Sequence, residues 1–170
     1  YAGTATMTAL PNSGALLDTG YVTNSPRLDY LINFRRTGTH YVWIRGAGAS
    51  GNDDSCHAGL DGVPVSTADR IANFVPAWTW SSATMDGPAA TIVVTNAGLH
   101  TLNIWMREDG LVLDRIVITT NGYTPSGLGP PVSERSSGYR DTDGDGVSDW
   151  EETNVHGSNP SAADTDADGL

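Results

Sequence analysis

Lysine is absent from this 170-residue chain, and all nine basic residues are arginine. The bias is compatible with a saline or extracellular habitat. Against twenty acidic residues the formal net charge is −11, and no basic stripe forms. Nucleic-acid binding therefore lacks its electrostatic footprint. Cys56 is the single cysteine, so no disulfide framework can form within the chain. It reads as a small core hydrophobe, and a sandwich of this size can bury enough core without covalent staples. No apolar run reaches transmembrane length, and no signal-peptide pattern is present. The chain starts at Tyr1 without Met, which is read as removal of an upstream piece. No stretch carries a 3.6-residue apolar stripe with caps; only 64–75 is read as one short helix, starting near Ser66 or Thr67. Neither a Ser-His-Asp arrangement nor the spacing of a metal hydrolase occurs.

What is present is concentrated at the C-terminus. Residues Asp141 to Glu152 read DTDGDGVSDWEE. Asp141, Asp143 and Asp145 occupy positions one, three and five of a calcium loop, and Gly146 sits where the chain must turn. Val147 can offer a backbone carbonyl at position seven, Asp149 holds position nine, and Glu152 is placed for bidentate coordination. Calcium takes roughly six to eight oxygen ligands, which this segment can supply by itself. Asp164, Asp166, Asp168 and Gly169 restate Asp141, Asp143, Asp145 and Gly146 at an offset of 23 residues. The second copy stops at Leu170, before its own position twelve, as a boundary in mid-repeat would leave it. Asn159-Pro160-Ser161 marks a turn between the copies. With DTDGDGVSDWEE and then GSNPSAADTDADG, the segment resembles thrombospondin type 3 repeats. That resemblance implies calcium as a bound ion and a stiff, extended connector between domains. Extracellular modules bind calcium at about 10⁻⁴ to 10⁻³ M, so a secreted or cell-surface location is expected.

The charge divides along the same line. Residues 134–170 carry a net of −8 and residues 1–133 a net of −3. Three zones follow: 1–121 as short strands, 122–139 as a Gly/Pro/Ser-rich extended linker, and 140–170 as the calcium segment. The strands are placed by alternation. Leu28, Tyr30, Ile32 and Phe34 alternate with polar or opposite-facing residues, and Val42 and Ile44 oppose Tyr41 and Trp43. Cys56 to Leu60 ends at Asp61-Gly62, a hairpin signal. Further strands are read near Thr4 to Leu10, and over Trp78 to Ser81, Ala90 to Val94, His100 to Met106 and Val112 to Thr119. About eight short strands at this spacing predict an all-β sandwich or barrel.

The stretches HYVWIRGAG, SCHAGLDGV, PAWTWSSAT and GLHTLNIWMREDGLVLDRIVIT, in that order over about 4–120, resemble the galactose-binding-like jelly rolls of carbohydrate-binding module families 6 and 35. The resemblance implies a jelly-roll β-sandwich with one sugar site in the loops at one end, including an aromatic platform. Trp78 and Trp80 are the candidate pair. An indole covers the apolar C–H face of a sugar ring and donates from its N–H. By resemblance one of the two is the platform and the other core; Trp78 is favoured because it lies nearer the loop, and the alternative that both are core stays open. Arg107, Glu108 and Asp109 correspond to a loop that supplies polar ligand contacts, since guanidinium and carboxylates can pair with vicinal hydroxyls. A charged β-turn explains the same residues. Asp53, Asp54 and His57, in the loop entering Cys56, and Tyr21, in GYVTNSP, are secondary candidates. Trp43 and Trp105 read as packing or sheet-face residues without ligand, the sheet face carrying either being the fallback site. In the families a carboxylate at Asp114 often ligates a structural calcium with a Glu near the module's start. This chain has no Glu before Glu108.

The reading is a non-catalytic module that binds a polysaccharide or oligosaccharide, joined to a calcium-binding spacer, in a larger secreted polysaccharide-active enzyme. Two alternatives stand beside it. One is a glycan-binding adhesin or surface domain. The other is a small glycoside hydrolase or lyase using carboxylates such as Asp53, Asp54, Glu108 and Asp109. No nucleic-acid partner and no membrane insertion are expected.

Overall fold

A computed structural model describes residues 6–131, 133, 142–144, 149 and 152–163. The chain divides into two compact units, Tyr1–Pro131 and Val132–Leu170. Among the described residues the first is a sandwich of nine antiparallel strands: β1 (Met7–Thr8), β2 (Arg27–Phe34), β3 (Gly38–Ala47), β4 (Cys56–Leu60), β5 (Val63–Pro64), β6 (Thr79–Ser81), β7 (Thr91–Val94), β8 (Gly98–Met106) and β9 (Val112–Thr119). A four-residue helix α1 (Tyr21–Asn24) precedes β2. Among the described residues, no helix is long and apolar enough to cross a membrane.

One sheet runs β1-β9-β3-β6, with β7 also pairing β3; the other runs β2-β8-β4-β5. β7 pairs Gly38–Tyr41 and β6 pairs Ile44–Gly46, so they share successive parts of one edge of β3. The fold is thus all-β, a jelly-roll β-sandwich.

Alternation decides which side chains meet between the sheets. On β3, His40, Val42, Ile44 and Gly46 are buried, while Tyr41, Trp43, Arg45 and Ala47 are partly exposed. Val42 and Ile44 pack with Ile92, Val94, Leu102, Ile104, Ala58 and Phe34 in one core, and Leu28, Tyr30 and Ile32 of β2 join it. Cys56 is buried in this core, and burial pushes its thiol up to about 12. The β4–β5 hairpin turns on Asp61 and Gly62, whose φ values of 53° and 77° are both positive, as a two-residue primed turn requires.

Three expectations are corrected. A ninth strand, Val63–Pro64, was not read, because it is the short return arm of that hairpin. The 64–75 stretch forms a 3₁₀ turn only over Ser66–Ala68; Ile71 beyond it bridges Cys56 and Thr84 in strand fashion. The Gly/Pro/Ser-rich stretch is not a free linker up to residue 131. Gly127 and Leu128 lie against the five-stranded sheet, where their carbonyls accept hydrogen bonds from Arg45, Trp80 and Arg115.

In the second unit, Thr142 donates through N–H and Oγ1 to the Asp149 carboxylate, at 2.8 and 2.7 Å. Glu152–His156 forms one π-type turn, and the Glu152 side chain is buried. The expected turn is present: Ser161 N–H donates to Asn159 Oδ1 and Ala162 N–H to the Asn159 carbonyl.

Candidate functional site

The residues of interest gather on the outer face of the five-stranded sheet. Register places Ile44 opposite Ser81 and Arg45 opposite Trp80. The alternation that sends Val42 and Ile44 inward sends Trp43 and Arg45 outward, with Arg45 beside Trp80 of the neighbouring strand. Trp78, two residues before Trp80, falls on the same side. Along β9 the register slips between Arg45 and Gly46, leaving Asp114 as the extra residue of a bulge. Its carboxylate pairs with Arg45 and lies 3.8 Å from Arg115 Nε.

Trp78 is 45% exposed. The Arg45 guanidinium sits over its ring, 4.8 Å from the centroid, a cation–π contact that steadies the indole. Arg45 is itself held, by Asp114 and by donation from Nε to the Gly127 carbonyl at 3.1 Å. Trp80 Nε1–H donates to the same carbonyl at 3.1 Å. A pocket of about 380 Å³ opens beside these groups, walled by Trp43 and Trp80 and lined further by Asn73, Thr79, Ser81, Ser82, Ala83, Gly87 and Ala89. Ser82 is buried, and its Oγ has no hydrogen-bond partner among the described residues.

The charged loop is buried instead of facing outward. Arg107 donates from Nε to Asp18 at 2.6 Å, and from one terminal nitrogen to Ser55 Oγ at 2.7 Å and Glu108 Oε1 at 2.6 Å. Glu108 Oε2 accepts from Asp54 N–H and Ser55 Oγ. The Asp109 carboxylate accepts from Ser13 N–H, Ser13 Oγ and Gly14 N–H; the Ser13 backbone bond leads in holding its pKa below the usual carboxylate range. Asp54 is shifted the other way, first by burial and then by the neighbouring Glu108 charge.

A glycosyl hydrolase family 115 C-terminal domain model matches residues 2–132. The chain belongs to this family. An uncharacterised protein P23 of Formosa agariphila is 34% identical over 116 residues, covering 62% of this chain. The chain spans 28% of the length of that curated relative. Among solved structures, a family 35 module of Paenibacillus barcinonensis is 25% identical, with a TM-score of 0.42, covering 69% of this chain and 99% of that one. The GH26-CBM35 β-(1,4)-mannanase of Podospora anserina is 19% identical, with a TM-score of 0.46, over 71% of this chain and 26% of that one.

In this family 115 C-terminal domain the expected site residues divide. Trp78 and Trp80 lie together on the outer face. Trp80 is not core between the sheets, as the reading that favoured Trp78 for the platform had it; it faces outward beneath Gly127–Gly129. Arg107, Glu108, Asp109 and Asp53 are buried, which corrects their placement in an open ligand-contacting loop. Their polar atoms engage one another, Ser13, Asp18, Ser50 and Ser55. His57 is fully buried, paired with Asp69 through Nδ1 and with the Leu17 carbonyl through Nε2. Tyr21 stacks on it at 3.7 Å between ring centroids, as an internal packing pair and not an open sugar contact. Trp105 faces outward from the other sheet but is wholly buried, with Tyr21 against it at 5.7 Å.

Arg45 and Ser82 were missed as site residues. The alternation over His40 to Arg45 was the available signal, since it already sets Trp43 and Arg45 opposite the core positions. Of the residues expected to ligate calcium, Asp143, Asp149 and Glu152 are described; Asp141, Asp145, Val147, Asp164, Asp166 and Asp168 lie outside the described residues, as does Gly146. Among the described residues, no group of three or more metal-binding side chains is assembled.

Proposed function

We propose that the domain is a non-catalytic carbohydrate-binding module of a larger, secreted polysaccharide-active protein, followed by a calcium-binding spacer. The exposed Trp78 ring carries this reading. Arg45 backs one face of the indole and leaves the other for the C–H face of a sugar. Membership of a family of glycosyl hydrolase C-terminal domains supports a polysaccharide as the ligand. The module then acts by effective concentration, holding a linked catalytic domain near its substrate. A small hydrolase built on Asp53, Asp54, Glu108 and Asp109 is disfavoured, because three of these four side chains are buried. Hydrolysis would need two carboxyl groups flanking the bond in an open cleft.

The spacer reading rests on the oxygen donors of the 141–152 loop. Within that loop, Thr142 folds back onto the Asp149 carboxylate, bringing loop positions two and nine together. Asp141, Asp143, Asp145, Asp149, Glu152 and the Val147 carbonyl would hold calcium, whose contribution is to order the segment.

Affinity electrophoresis on β-glucans, xylans, galactans and uronic-acid polymers tests the module reading. At least one polymer should retard the parent chain. Trp78→Ala should abolish retardation with an unchanged melting temperature, and the chain should release no reducing ends. Retention by no polymer, or retention indifferent to Trp78→Ala, would remove the platform.

A further inference from the structure

The pocket beside Trp78 has a composition of its own. Its walls are two indoles, Trp43 and Trp80, from adjacent strands. No lining residue is charged. Its volume of about 380 Å³ lies within the range of small-molecule sites. Trp80 is a fixed wall, because its Nε1–H is bonded to the Gly127 carbonyl. Ser82 is buried beside the indoles, and its hydroxyl lacks a hydrogen-bond partner among the described residues. A buried hydroxyl without a partner costs stability, and native structures leave few such groups. Ser81, its neighbour, faces the other way and is satisfied by the Ala72 carbonyl at 2.5 Å.

We infer that this pocket binds an uncharged pyranose ring, sandwiched or edge-packed between Trp43 and Trp80, with Ser82 Oγ bonded to one ring hydroxyl. An indole pair suits the C–H faces of such a ring, and Ser82 can donate or accept toward a hydroxyl. Asn73, on the rim, adds an amide of both polarities. A uronate would enter without a cation in the lining to meet its carboxylate, which makes a neutral sugar the better ligand. The inference rests on the module reading above and gives it a second contact. Trp78 and Ser82 flank the short strand β6, Thr79–Ser81, which carries Trp80, so all three lie within five residues of one segment. One oligosaccharide can therefore touch both the Trp78 platform and the pocket.

The test titrates the full chain calorimetrically with neutral trisaccharides of xylo, gluco, manno and galacto configuration, and with a galacturonic acid trisaccharide. At least one neutral trisaccharide should bind, more tightly than the uronate. Ser82→Ala should weaken it about five- to tenfold, the loss of one hydrogen bond, without lowering the melting temperature. A hydroxyl with a structural role would lower it. Trp43→Ala should weaken binding at least tenfold. Neutral binding within twofold of the parent in both Ser82→Ala and Trp43→Ala overturns the pocket; if Trp78→Ala then abolishes binding, the platform alone stands. Binding that falls in Ser82→Ala and survives Trp78→Ala keeps the pocket and removes the platform. Tighter binding of the uronate overturns the neutral class. If no trisaccharide binds the parent, both readings fall.

Discussion

Arg107 shows how a charged side chain can look like a ligand contact and be a structural strut. Its guanidinium bridges Asp18, Ser55 and Glu108, and both Arg107 and Glu108 are nearly inaccessible. Removing one member of a buried pair leaves the other charge uncompensated, at a cost of about 3–5 kcal/mol. Arg107→Ala should therefore lower the denaturant midpoint sharply. Loss of sugar binding at unchanged stability would instead return Arg107 to the ligand site. Asp109 makes a related prediction along the pH axis. Its folded-state pKa lies below the ordinary carboxylate range because Ser13 and Gly14 hydrogen-bond the ionised form. A depressed carboxylate pKa contributes stability that is present above the unfolded value, about 3.9, and is lost as pH falls through the folded value. Asp109→Asn should lower stability at neutral pH and flatten its decline below about pH 4. An acid limb identical to the parent's, followed by circular dichroism, would show that Asp109 does not carry it.

At the scale of elements, the Gly127–Gly129 stretch matters most. Three donors converge on two of its carbonyls: Arg45 and Trp80 on Gly127, Arg115 on Leu128. Gly129 has a φ of 76°, and a Cβ there would come within 2.7 Å of Trp80 Cζ2. Gly129→Ala should destabilise the first unit by about 1–2 kcal/mol, from the left-handed backbone and the ring contact together. A chain ending at residue 121 should melt well below one ending at residue 133. Equal melting temperatures for the two lengths would show the stretch to be a bystander. This element was illegible in the sequence for a physical reason. It is held through backbone carbonyls, which every residue has, while its Gly, Pro and Ser side chains read as linker. The strands were legible because burial alternates with period two. Leu28, Tyr30, Ile32 and Phe34 do line the core, and Val42 and Ile44 are buried while Tyr41 and Trp43 are partly exposed. The charged loop was not, since its partners are 52 to 96 residues away and local pattern carries no trace of them.

At the scale of the whole molecule, charge separates the two units. Residues 134–170 hold a net of −8, and within them Asp141, Asp143, Asp145, Asp149, Glu151 and Glu152 are six acidic groups in twelve positions. Without a cation, such density is repulsive at neutral pH and opposes a compact loop. On the calcium reading proposed above, the ion would offset that repulsion. The acidic loop should therefore order on binding, while the sandwich, with its own apolar core, should not depend on the ion. Calorimetric titration of the full chain should show at least one calcium site, abolished by Asp145→Ala. Calcium at about a hundredfold above its Kd should add about 2.7 kcal/mol to the stability of the second unit alone. Near-ultraviolet circular dichroism separates the units, since Trp150 is the only tryptophan of the second and the other four lie in the first. A Trp150→Phe chain reports on the sandwich tryptophans, and the difference between it and the parent reports on the acidic unit. Only the difference signal should respond to a chelator. A chelator that also melts the Trp150→Phe signal would place a structural calcium in the sandwich. Heatless titration would remove the calcium reading and leave 134–170 a solvated acidic segment.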